Sequence, residues 1–158
     1  MRTVMIESPF EGGTEREAGN VIYAKRCMND ALRRGEAPYL SHLLYPATLD
    51  DTIPEQRERG ITAGHAIAAK MDAWVFYLDR GITRGMLQGV DAAVVAGFRP
   101  YHDIGASVWA PCEKPIVFRT FSVELDVLAE EIRLHQCARW PLLLERFAHH
   151  ARREWDLP

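Results

Sequence analysis

Cysteine is scarce in this chain, and the three present, Cys27, Cys112 and Cys137, are odd in number and widely spaced. They form no CxxC pair and no zinc framework with the six histidines, so the expectation is no metal, no disulfide scaffold and a reducing compartment. A basic excess is missing too. Lysine and arginine total 19 against 22 acids, a net charge of −3, which argues against a nucleic-acid polymer or an anionic membrane as partner. No apolar run approaches the roughly 18 residues that would span a bilayer, and the opening MRTVMIESPF lacks the charge and length of a secretory signal. A cytoplasmic protein is expected. Neither a Walker motif nor a GxGxxG fingerprint occurs, and no repeat or low-complexity segment is visible.

What is present is an alternation of short apolar runs and helical periodicities. Thr3 to Glu7 (TVMIE) reads as a strand that stops at Ser8-Pro9, because proline cannot donate to a central ladder. After a glycine-bearing loop, apolar residues recur at helical spacing from Asn20, a candidate N-cap, to Gly35, a candidate stop. Ala37 to His42 reads as extended, and Pro54 opens a second helix over Glu55 to Met71. Ala73 to Leu78 (AWVFYL) is the clearest buried strand. Met86 to Ala96 forms a third helix ended by Gly97, and Ile116 to Phe121 a further strand. This order predicts an α/β fold: a Rossmann-like or flavodoxin-like parallel sheet flanked by helices, within residues 1–121. Residues 122–158 read as a C-terminal helical extension, interrupted at Pro141 and ending in a solvated HHARR stretch. Its apolar stripe suggests a contact between copies of the chain.

Open parallel sheets bind ligands beyond the carboxyl ends of their strands. Three polar clusters fall there: Ser8-Pro9-Phe10, Ser41-His42, and the run from Asp79 to Met86. In the last, Gly81 and Gly85 let the backbone approach a ligand, and Thr83 and Arg84 offer a hydroxyl and a positive charge at a helix start. Thr83 reads equally as a plain N-cap, Ser41-His42 as a turn, and Asp50-Asp51 as a helix entrance. Glu55, Arg57, Glu58 and Arg59 read as a charged helix face.

The stretches ESPF, NVIYAKRCMNDALRRGEAPYLSHLLYPATLDD, IPEQRERGITAG and VFYLDRGITRGM occur in order across residues 3–97. In this combination the chain resembles the phage- and bacteria-borne branch of nucleoside 2-deoxyribosyltransferase-like proteins. The resemblance implies cleavage of the N-glycosidic bond of a deoxynucleoside or its 5′-monophosphate, without a cofactor and in a homo-oligomer. It implies that a carboxylate attacks the anomeric carbon and that the sugar passes to another base or to water. On it, Ser8, Pro9, Phe10, Asn20, Ser41, His42, Gly81, Thr83, Arg84, Gly85 and Met86 bind the nucleoside or nucleotide, and Asp79 handles a proton or the sugar. The sequence departs from the pattern at one place. The helix-borne glutamate expected just after Gly85 is absent, and Gln88 is its nearest polar analogue, with Asp91 one turn on. Four explanations follow: inactivation at Gln88, a relative that binds nucleotides without cleaving them, another acid, Asp79 or Asp91, in its place, or a Gln88 that is simply a surface residue of the helix.

Overall fold

The structure is a computed structural model and describes residues 1–10, 13–100 and 114–121. The helical extension over 122–158, with the contact between copies suggested for it, and the region of Trp109 and Cys112 lie outside the described residues.

The chain runs β1 (Arg2–Glu7), α1 (Glu17–Arg33), β2 (Glu36–Tyr39), α2 (Ser41–Leu44), a 3-10 turn (Tyr45–Ala47), α3 (Pro54–Ala68), β3 (Ala73–Tyr77), α4 (Arg84–Val95), β4 (Arg99–Pro100) and β5 (Pro115–Arg119). The sheet order is β2-β1-β3-β5-β4, with every strand pair parallel. The α/β fold is therefore as expected. Its first three strands follow the flavodoxin-like order, while the two-residue β4 takes the edge and β5 lies inside it.

Alternation along each strand divides the core into two layers. Val4 and Ile6 of β1 and Ala73, Val75 and Tyr77 of β3 pack on α1, through Tyr23, Ala24, Cys27 and Ala31. Met5, Trp74, Phe76 and Leu78 point the other way, onto Met86, Val90 and Ala93 of α4 and Ala68 of α3. That second layer is aromatic: Trp74 stacks on Phe76 and meets Phe98 edge-on, while Phe76 stacks on Phe118. Each such ring removed from water contributes about 1.5–3 kcal/mol.

Two local readings are corrected. Helix α1 starts at Glu17, one turn before Asn20, so Asn20 is a buried helical residue and not the N-cap. Its side-chain oxygen accepts from Arg80 Nη1 at 3.4 Å. The extended segment ends at Tyr39, and Ser41 and His42 begin the short α2. Gly35 and Gly97 do end α1 and α4, both with positive φ (75° and 90°). Thr83 is the N-cap of α4 and accepts from the amide of Met86.

Candidate active site

Beyond the carboxyl ends of β1 and β3 lies a cavity between the loop after β1, α2, α3 and the start of α4. Seven of the expected residues line it: Ser8, Phe10, Ser41, His42, Thr83, Gly85 and Met86. The strand ends bring them together, because each follows a strand or opens the next helix.

Sequence reasoning passed over the residue that gives this cavity its chemistry. Glu7 is the last residue of β1 and shares the parity of Met5, so its side chain turns toward α4. It is 9% exposed and lines the cavity. Trp74 Nε1 donates to its Oε1 at 3.3 Å. Burial pushes its carboxyl up to about 8, against the weaker downward pull of that hydrogen bond, so Glu7 is a protonated acid at neutral pH. A Cβ placed on Gly89 of α4 would stand 3.0 Å from Glu7 Oε1, so the missing side chain there is the space the carboxyl fills. The signal in the sequence is an acid closing an apolar strand at the parity of its core residues.

Next to Glu7, the buried Ser8 places its Oγ 2.9 Å from His42 Nε2. Burial holds the His42 imidazole down at about 4, so it is neutral at neutral pH and able to take a proton. Phe10 packs against its ring with centroids 5.8 Å apart. Beyond the couple, α3 contributes Arg57 and His65, and the 3-10 turn contributes Tyr45. Arg57 Nη1 pairs with Asp51, and its Nη2 lies 3.6 Å from where a Cβ on Gly85 would be. His65 meets the Trp74 ring edge-on and is held below its ordinary range by burial, with Glu58 acting in the opposite direction. Gly64 allows α3 to close on α2, since a Cβ there would come within 2.7 Å of Ser41 Cβ.

The other expected site residues stand apart. Asp79 has the parity of Tyr77 and faces α1, where Tyr23 donates to Oδ2 at 2.7 Å and the amide of Phe121 donates to Oδ1. Gln88, Arg84 and Asp91 are exposed. The face of α4 turned to the sheet carries Met86, Gly89, Val90 and Ala93, which leaves residue 88 outward. Pro9 is buried in the turn that ends β1, and Gly81, with φ 79°, turns the chain after β3; neither lines the cavity. Among the described residues no cluster of three histidine, cysteine or acidic side chains is arranged for a metal ion, and no helix is long and apolar enough to cross a membrane.

Residues 2–100 match the model of DUF7768, a domain of unknown function. No curated protein and no solved structure matches the chain.

Proposed function

We propose a function for a chain that belongs to the DUF7768 family: it cleaves the N-glycosidic bond of a deoxynucleoside or its 5′-monophosphate, with Glu7 as the acid. The observation that carries this is the buried Glu7 carboxyl, protonated at neutral pH and lining a cavity with an apolar wall. A departing base needs a proton on its nitrogen as the bond to the sugar breaks, and an acid poised near neutral pH supplies it. Phe10, Tyr45 and Met86 give flat and apolar surface for the base. Thr83 and Gly85 at the start of α4, with Arg57 beside them, would face the 5′ end of the sugar.

The earlier resemblance to nucleoside 2-deoxyribosyltransferase-like proteins supports the same substrate class. A cytoplasmic homo-oligomer using no cofactor fits this reading. The competing reading, a protein that binds a nucleotide without cleaving it, draws on α4, which carries the exposed Gln88 and no carboxylate toward the cavity.

The test is chromatographic. Each common deoxynucleoside and its 5′-monophosphate is incubated with the protein and with Glu7→Gln, which keeps the shape and removes the acidic proton. Release of free base that falls by about 10²–10⁴-fold in the variant is expected. Stoichiometric binding with no release from the unaltered protein would establish the binding reading instead.

A further inference from the structure

Two carboxyl groups line the cavity among the described residues, and neither is a free nucleophile. Burial holds Glu7 protonated, and it accepts a hydrogen bond from Trp74, while Asp51 is ion-paired with Arg57. Among the described residues, then, a route through a sugar–carboxylate intermediate has no free attacking group. What the cavity does contain, on the residue after the acid, is a hydroxyl in contact with an imidazole.

We propose that Ser8 and His42 act together as the base that activates water, so that the sugar is passed to water in a single displacement with inversion at the anomeric carbon. This inference rests on the glycosidic reading and deepens it by naming the acceptor. Ser8 Oγ takes a proton from the attacking water while its own proton moves to His42 Nε2. The water oxygen bonds to the anomeric carbon as the carbon–nitrogen bond breaks. The bonding pair goes to the base nitrogen, which takes the proton of Glu7. Imidazolium and carboxylate then return to their starting forms by transfer of one proton from His42 to Glu7 through solvent. Nucleoside and water give free base and free sugar, and no other reactant enters.

The surroundings suit this division of work. The neutral His42 ring is packed against Phe10, and in the tautomer protonated at Nδ1 its Nε2 accepts from Ser8. Glu7 and Ser8 are successive residues at a strand end, so acid and base arise from one turn of the chain and are fixed by the same sheet. Ser8 meets the water and is the catalytic residue; His42 works through it and is a positioning and proton-holding residue.

The experiment uses the unaltered protein, Ser8→Ala and His42→Ala with the deoxynucleoside cleaved fastest, in buffer containing methanol. The anomeric proton of the methyl glycoside, which unlike the free sugar does not mutarotate, is read by NMR. From a β-nucleoside the α-methyl glycoside is expected from the unaltered protein, a result that does not depend on how well the variants fold. His42→Ala is expected to lose about 10²–10³-fold in base release. Azide, a nucleophile with no proton to remove, is expected to restore release in that variant and to give the α-glycosyl azide. A β-methyl glycoside would show a covalent intermediate and overturn the inference, as would base release undiminished in both variants. Absence of base release from the unaltered protein would overturn the glycosidic reading itself, and the acceptor assignment with it.

Discussion

The Glu7 carboxyl and the bare backbone of Gly89 fit against one another: a Cβ at residue 89 would lie 3.0 Å from Glu7 Oε1 and 3.2 Å from its Cδ. Phe76 Cε1 would lie 3.4 Å from the same Cβ, so an added methyl would press on both side chains. Alanine in mid-helix is favoured over glycine by about 1 kcal/mol, whereas overpacking a closed site costs about 1–3 kcal/mol. Gly89→Ala is therefore expected to destabilise the protein by about 1 kcal/mol and to lower base release. In a Glu7→Ala background the same change is expected to stabilise by about 1 kcal/mol. Urea unfolding of the four proteins of this cycle checks it, and additive effects would show that the two residues do not compete for space.

The acid and the base set opposite limits on activity. Glu7 must be protonated, and its carboxyl stands at about 8; His42 must be neutral, and its ring stands at about 4. The rate of base release at low substrate is expected to be flat between those values, falling tenfold per pH unit outside them. Asp51, Arg57 and His65 share the cavity, and His65 is already neutral in the upper range. Base release that rises, rather than falls, as pH passes about 8 would mean that Glu7 works as a carboxylate.

Stability should follow pH with a sign that the same two groups determine. Glu7 binds its proton more tightly in the native state, so its contribution is whole below about 4.5 and is lost as pH rises to about 8. His42 is the reverse: its contribution is whole above 6.5 and is lost as pH falls to about 4. The slopes cancel between 4.5 and 6.5, leaving a net fall from 6.5 to 8. At about 1.4 kcal/mol per pH unit that fall is about 2 kcal/mol. Denaturant midpoints at the two pH values measure it, and Glu7→Gln should abolish it.

How far the sequence revealed this site follows from the kind of signal each residue gives. Ser8, Phe10, Ser41, His42, Thr83, Gly85 and Met86 were legible because a parallel sheet collects whatever follows its strands. Asp79 was misjudged because position along a strand does not say which face a side chain takes; its neighbour Tyr77 packs on α1, and Asp79 goes with it. Gln88 was singled out for its place in a motif, but helical spacing from Met86, Val90 and Ala93 puts it on the outer face. Glu7 was read only as a strand end, although the period of two that placed Met5 in the core also pointed its carboxyl inward. Arg57, in a charged run, looked like a solvated helix face; the turn after α2 that brings Asp51 to it has no signature in local sequence.

On the α1 side, Arg119 of β5 donates to Glu36 of β2 through both terminal nitrogens, at 2.7 and 2.6 Å. The arginine and glutamate side chains are 11% and 6% exposed. Tyr77 lies within 3.4 Å of the guanidinium and donates to Asp30 at 2.7 Å, which ties α1 to the pair. Removing one partner leaves a buried charge uncompensated. Glu36→Ala is expected to cost about 3–5 kcal/mol, and Glu36→Leu with Arg119→Met appreciably less than the two single losses added. Thermal unfolding of Glu36→Ala, Glu36→Leu, Arg119→Met and the double variant checks this, and a single-variant loss below about 1 kcal/mol would mean that water reaches the pair.

Asp79 provides the sharpest separation between a structural acid and a chemical one. Tyr23 and the Phe121 amide both donate to it, and burial keeps the Tyr23 hydroxyl protonated as a donor. Asp79→Ala leaves those two donors without this acceptor, at an expected cost of about 2–4 kcal/mol. Because Asp79 lies across the sheet from Glu7 and does not line the cavity, base release per folded molecule should change no more than a few-fold. Glu7→Gln should do the opposite, lowering base release by about 10²–10⁴-fold. Measuring both quantities for both variants at a temperature where each is folded decides between the two acids. A folded Asp79→Ala protein that has lost its activity would move the chemistry to the α1 side of the sheet and leave Glu7 as a buried core acid.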